Sequence, residues 1–166
     1  MDKKTNKALM KCAEQVLSSD GANNASCPLF REPANKIIHD SYNGQVSALG
    51  VSILMIGLCP TLAVYMQDMP TGEVNRNEAY RIYVLEVIAG MLELYNSERY
   101  QNILSATQPN VGLYDTIRCR KAYNLTRYIL NLPRTANGLR EEKQLQTDIL
   151  NCSVALKEVV RTYTLG

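Results

Sequence analysis

The chain has 166 residues, 18 basic and 16 acidic side chains and a net charge of +2. That length suits one good core and is short for two, and an apolar content of 46% excludes bulk disorder. Five scattered cysteines without a CxxC pair, behind a charged opening MDKKTNK, argue against a secreted disulfide scaffold and lead to the expectation of a reduced, cytoplasmic setting.

The first helix is predicted over residues 5–18, with Leu9, Cys12, Val16 and Leu17 as its apolar stripe and Lys4, Lys7 and Lys11 on another side. Residues 20–35, rich in Asn, Gly and Pro, predict a loop. Phe30, the only phenylalanine, anchors that loop to the core or to a partner. The expected organisation is a single domain, 1–166, with an N-terminal helix and loop over 1–40 and a helical core over 41–166.

From Ser41 to Gln67 no side chain is charged, and Asp40 and Asp68 close the stretch. It reads as a buried central helix pair or as a membrane span. Ser47, Ser52 and Thr61 are polar, Gly50, Gly57 and Pro60 interrupt, and no Lys or Arg cluster flanks it, which favours the pair. The pair is predicted as a helix over 41–56, a bend at 57–60 and a second helix to 67 with Pro60 in its first turn. So uncharged a segment is expected to be covered by other helices, with Leu54 and Leu58 in the core.

Asn75, with Glu78 three positions on, has the capping-box spacing and predicts a helix running to about Asn96. Tyr80, Val84, Val87, Ile88, Met91 and Tyr95 share one side, and other apolar residues cover a second, so this helix is expected to be largely buried. A short helix from Ser97 follows, with Ile103 and Leu104 inward. An amphipathic helix spans about Tyr114 to Leu132, closed by Pro133, and a last one spans about Glu141 to Tyr163. The class is therefore all-α, a bundle of about six to seven helices, and without sustained two-residue alternation no sheet is expected.

Catalytic chemistry is hard to find. One histidine, His39, and dispersed cysteines lack metal-ligand spacing, and there is no phosphate-binding glycine motif, so neither a metal nor a cofactor is expected. Glu86 and Glu93 share a helix face, a spacing open to an acid–base pair and commoner on a solvated surface. The expectation is a protein that is not an enzyme.

Charge is uneven: residues 114–143 carry seven basic and three acidic side chains. Arg120, Arg127 and Arg134 are spaced by seven and share a helix face, with Asn124 and Tyr123 between or beside them. Lys121, Arg140 and Lys143 add charge at the edges. Such residues contact phosphates, sugar hydroxyls and bases; a solvated charged face accounts for the same pattern without a ligand.

An apolar helix ends in Gly57-Leu58, and after Cys59-Pro60 comes Thr61-Leu62-Ala63-Val64-Tyr65. Beginning at Tyr42 and clearest from Leu49 to Met66, this resembles the small all-helical subunit of type III-B CRISPR effector complexes, the Cmr small subunit. The resemblance implies a non-catalytic, RNA-associated subunit of an antiviral ribonucleoprotein. It implies stacking with neighbouring copies into a filament beside the backbone subunits and the large subunit, lining the channel of the guide RNA–target RNA duplex. It supplies no catalytic residues, and the basic face is inferred from the sequence pattern alone. The alternative is a helical protein–protein adaptor without nucleic-acid contact.

Overall fold

The computed structural model describes residues 1–18, 27–70, 75–105 and 119–166. Helix α1 is Lys3–Ser18. A strand β1 (Phe30–Glu32), a 3₁₀ turn (Pro33–Asn35) and a strand β2 (Ile37–Ile38) precede α2 (Ser41–Ile56) and α3 (Leu58–Gln67). Then come α4 (Arg81–Tyr95), α5 (Ser97–Leu104), α6 (Arg120–Leu130), α7 (Ala136–Val160) and a short β3 (Thr164–Leu165). The class is mainly α.

Helix α4 is the one the others are assembled on. Its apolar residues occupy nearly the whole circumference from Ile82 to Leu92, and every residue there except Glu86 is buried. All six other helices pack against it. Gly90 lets α1 come close, since a Cβ at that position would stand 3.2 Å from Val16 Cγ2. Buried residues of all seven helices form one cluster, whose largest fully buried side chains are Tyr42, Tyr83 and Tyr100.

The predicted helix pair is present with the predicted bend. Gly57 takes φ +97°, a conformation that disfavours side chains with a Cβ, and its N–H caps α2 on the Ile53 carbonyl at 3.0 Å. Thr61 Oγ1 donates back to the Gly57 carbonyl at 2.8 Å, and Tyr65 Oη donates to the Gln45 carbonyl at 2.7 Å, folding α3 onto α2. Asp40 N donates to Gly166 O at 3.1 Å, Gly50 lies against Leu150 and Ser153, and Cys59 Sγ donates to Glu142 Oε1 at 3.0 Å. Helix α2 therefore runs antiparallel to α7. Among the described residues no helix is long and apolar enough to cross a membrane.

Burial of this pair is one-sided, which corrects the expectation of full cover. Tyr42, Val46, Leu49 and Ile53 face the core, as do Leu58, Leu62 and Tyr65. Leu54, expected in the core, is 73% exposed. Neighbours cover the inner side of α2 and leave the outer one bare, and composition cannot tell which residues fall where.

Three further expectations change. A small sheet exists: β1 pairs antiparallel with β2, and β2 pairs parallel with β3, Ile37 opposite Thr164. Strands of two and three residues are too short to show alternation, and β3 joins from the far end of the chain. Phe30, at the start of β1, is buried and meets Tyr163 edge-on at 5.6 Å, so it anchors to the core. Asn75 does not open a helix. Its side chain accepts from Asn77 N at 3.0 Å in a turn, and α4 starts at Arg81, whose N–H goes to Asp68 Oδ2 at 3.1 Å. Tertiary bonds hold the intervening residues out of helix: Arg76 donates to the Phe30 carbonyl at 2.6 Å and Tyr80 N to Tyr42 Oη at 3.1 Å. Finally, α7 begins at Ala136 rather than near Glu141, capped by Thr135 Oγ1, which accepts from Gly138 N at 3.2 Å. Gly138 is required there, because a Cβ would fall 1.8 Å from the Pro133 carbonyl oxygen.

Candidate nucleic-acid interface

The arginine face is built on α6. Ala122, Leu125 and Ile129 bury one side against the core, which leaves Arg120 and Arg127 exposed on another. They stand seven residues apart, roughly 10 Å along the axis. Tyr123 lies half-buried near them. The predicted residues 114–118 of this helix, and Arg118 among its charges, lie outside the described residues.

The N-terminus of α6 is already occupied by an anion from within the chain. Glu86 Oε1 accepts from Lys121 N at 3.2 Å and Oε2 from Ala122 N at 2.6 Å, so a carboxylate on α4 satisfies the first free donors of α6 and meets its positive end. Lys121 Nζ lies 3.7 Å from Glu93 Oε2. The two glutamates open to an acid–base reading are thus engaged with α6, and Lys121 has part of its charge answered inside the molecule. Arg120 donates to the Ser105 carbonyl at 3.2 Å while remaining exposed.

Asn124 corrects the predicted contact set. It is buried, 2% exposed, and its Nδ2 donates to the Leu104 carbonyl at 2.8 Å at the end of α5. Seven-residue spacing placed it near the arginines, but α5 packs over that edge of the helix and turns the amide into a structural bond. Arg134 lies past the Pro133 break and is exposed. Arg140 and Lys143 are on the first turns of α7, a separate element. The structure keeps Arg120, Lys121 and Arg127 on one helix, with Lys121 beside Glu93, and places Arg134, Arg140 and Lys143 outside it.

A polar network ties α5 to α7, and α6 reaches it through Tyr128. Arg99 donates to Glu141 Oε1 at 2.9 Å and stands 3.8 Å from Asp148 Oδ2, and its guanidinium lies over the Tyr100 ring at 5.6 Å. Tyr100 Oη donates to Asp148, Gln144 Nε2 donates to the other carboxylate oxygen at 3.0 Å, and Tyr128 Oη reaches Glu141 at 3.4 Å. Burial and then the Asp148 bond push the Tyr100 phenol well above its ordinary range. Sequence reading missed this cluster. Glu141, Gln144 and Asp148 recur at three and four on one face of α7, and that spacing was the available signal.

Other candidate chemistry has structural partners. His39 Nε2 pairs with the Asn77 carbonyl at 2.8 Å and Nδ1 accepts from Ser41 N at 3.2 Å, so the ring links the start of α2 to the turn before α4. Burial pushes the Cys27 thiol up to about 12; burial, with the bond to Glu142, raises Cys59 to about 11. Thiols so placed are neutral at physiological pH and weak nucleophiles. Among the described residues no three His, Cys, Asp or Glu side chains gather closely enough to hold a metal ion. No family model, curated protein or solved structure matches this chain.

Proposed function

We propose that the chain is the non-catalytic small subunit of a type III-B CRISPR RNA-guided effector complex. Copies of it line the channel of the guide RNA–target RNA duplex, alongside the backbone subunits and the large subunit, in the cytoplasm. The observation carrying this reading is the 49–66 segment. The residues on which the resemblance rests are those that build the α2–α3 corner: Gly57 with its positive φ, Thr61 bonded to it, and Tyr65 returning to α2. A shared corner of this kind supports a shared scaffold more than a shared chemistry. Exposed Arg120 and Arg127 on a helix packed against α3, α4 and α5 supply a rigid, sequence-independent phosphate contact, which arbitrary guides require.

The test is filter binding of target RNA to the complete complex across a salt series, with Arg120→Gln/Arg127→Gln against wild type. The expected result is unchanged melting of the subunit, weaker RNA retention and a salt slope shallower by about one to two, one for each phosphate no longer neutralised. Equal affinity and slope would remove α6 from the RNA interface. A mutant subunit that fails to enter the complex would make the same arginines protein contacts. The adaptor reading is favoured by a different observation, the bare apolar outer side of α2, and predicts a complex that forms with no change of RNA affinity.

A further inference from the structure

One exposed surface carries no charge. Gly44, Ser47, Ala48, Val51, Leu54 and Met55 recur at three and four along α2 and form a single outer face opposite Tyr42, Val46, Leu49 and Ile53. Val51 is 57%, Leu54 73% and Met55 77% exposed. Ser47 Oγ already donates to the Asn43 carbonyl at 3.0 Å, so covering it leaves no donor unpaired. Helix α7 extends the surface with half-buried Leu150, beside Gly50, and exposed Val154. Contiguous apolar area of this kind on a folded surface marks an interaction site.

The face is also graded in size. Its first half is small, with open space where a Cβ at Gly44 would stand, and its second half is large. We propose that it is a twofold contact between two copies of this chain, with the α2 helices antiparallel. That arrangement sets Val51 and Met55 of each copy over Ala48 and Gly44 of the other, large over small at both ends. A parallel pairing would oppose large to large and leave a void at the small end. Because α7 runs antiparallel to α2, with Gly50 level with Ser153, an axis passing between Ala48 and Val51 also passes near Val154. The two copies of α7 then meet at Val154, with Leu150 of each level with Lys157 of the other. With no charge on the α2 face, pairing it opposes no like charges and strips no ion of water.

The area sets the strength. Twelve residues of α2 are about 18 Å long, and two packed helices are about 18 Å wide, giving a flat footprint of roughly 300 Å² per copy. Two such footprints fall short of the ~1,200 Å² at which stable interfaces begin, so the dimer is a transient one. The contact does not rest on the RNA-channel reading and stands or falls separately.

Sedimentation equilibrium over about 10 μM to 1 mM covers the range in which a contact of this size associates. The weight-average mass is expected to rise from 18.6 kDa toward twice that value. Val51→Lys alone and Ala48→Glu alone should hold the monomer mass with wild-type melting curves, since both positions lie on the outer face. An equimolar mixture of the two variants should regain association, because position 48 of one copy faces position 51 of the other. A wild-type mass constant across the range overturns the proposal, as does Val51→Lys associating like wild type. Monomeric single variants whose mixture stays monomeric overturn the antiparallel pairing. Monomeric wild-type protein that floats with neutral phosphatidylcholine vesicles assigns the face to lipid instead and overturns it too.

Discussion

Helices α2 and α4 are nearly equal in length and both strongly apolar, yet their surroundings are opposite. Helix α2 has no charged residue, while α4 carries Arg81, Glu86 and Glu93. By composition α2 is the better candidate for the centre of the bundle. In the structure α4 holds the centre, with Ile82 to Leu92 enclosed apart from Glu86, and α2 leaves Val51, Leu54 and Met55 in solvent. Burial is a property of how many neighbours reach a helix. Six helices reach α4 and its charges find partners: Glu86 caps α6, Glu93 meets Lys121, and the Arg81 guanidinium stands 3.8 Å from Asp68 Oδ2. Only one side of α2 is reached, so its absence of charge leaves an apolar surface.

The sharpest way to break this comparison is truncation. Ile88→Ala or Leu85→Ala in α4 should cost about 2–5 kcal/mol, and so should Leu58→Ala on the inner side of α3, whereas Leu54→Ala in α2 should stay within about 0.5 kcal/mol. Urea denaturation monitored by circular dichroism measures all four. Equal losses at Leu54 and Ile88 would mean that α2 is covered in solution.

The bond that folds α3 onto α2 can be tested through the Tyr65 phenol, and burial at the start of residues 27–70 through the Cys27 thiol. Tyr65→Phe removes the bond to the Gln45 carbonyl and should cost about 1 kcal/mol at neutral pH. Burial raises Tyr65 from its ordinary 10.0 to about 12 and Cys27 from 9.0 to about 12. Unfolding therefore releases protons above pH 9. The stability these groups contribute is complete below about pH 9–10 and is lost as pH rises through about 12. Melting temperature against pH should fall across that window, and Tyr65→Phe should make the fall shallower. An identical pH profile in the variant would place the Tyr65 hydroxyl in water.

The smallest effect separates two glycines. At Gly50 in α2 a Cβ would meet Ser153 and Leu150 at an ordinary 3.6–3.7 Å, so Gly50→Ala should gain about 0.5–1 kcal/mol from helix propensity. At Gly90 in α4 the nearest atom, Val16 Cγ2, is at 3.2 Å, and crowding should consume that gain. Thermal melts of the two alanine variants check the difference. A larger gain at Gly90 than at Gly50 would contradict the tighter packing of α4.

Local signals were readable where the physics is local. Gly57 and Pro60 located the corner between α2 and α3 within 57–60, which the structure narrows to Gly57, because a glycine at positive φ and a proline in a first turn act on their own backbone. The Asn75–Glu78 spacing misled for the opposite reason. It is a correct local motif that lost to Arg76 and Tyr80, whose partners lie on β1 and α2. Of the arginine face, the seven-residue spacing of Arg120 and Arg127 survives as exposed geometry. Asn124 does not, since its fate depended on α5 reaching it. The Arg99–Glu141–Asp148 network joins residues more than forty positions apart, and only half of it, the α7 stripe, is written at helical spacing.

By itself the sequence determined that this protein is helical, where α2 and α3 meet, and which side of each helix is apolar. These follow from backbone preferences and from side-chain periodicity, both of which act within one or two turns. Only the tertiary structure decided which apolar side is covered, that Glu86 rather than an outside anion meets the N-terminus of α6, and that β2 and β3 share a sheet through Ile37 and Thr164. Those outcomes depend on which distant elements pack on a surface and fill it. No local pattern encodes that, because the same uncharged helix is a core when six neighbours reach it and an interface when one side is left open.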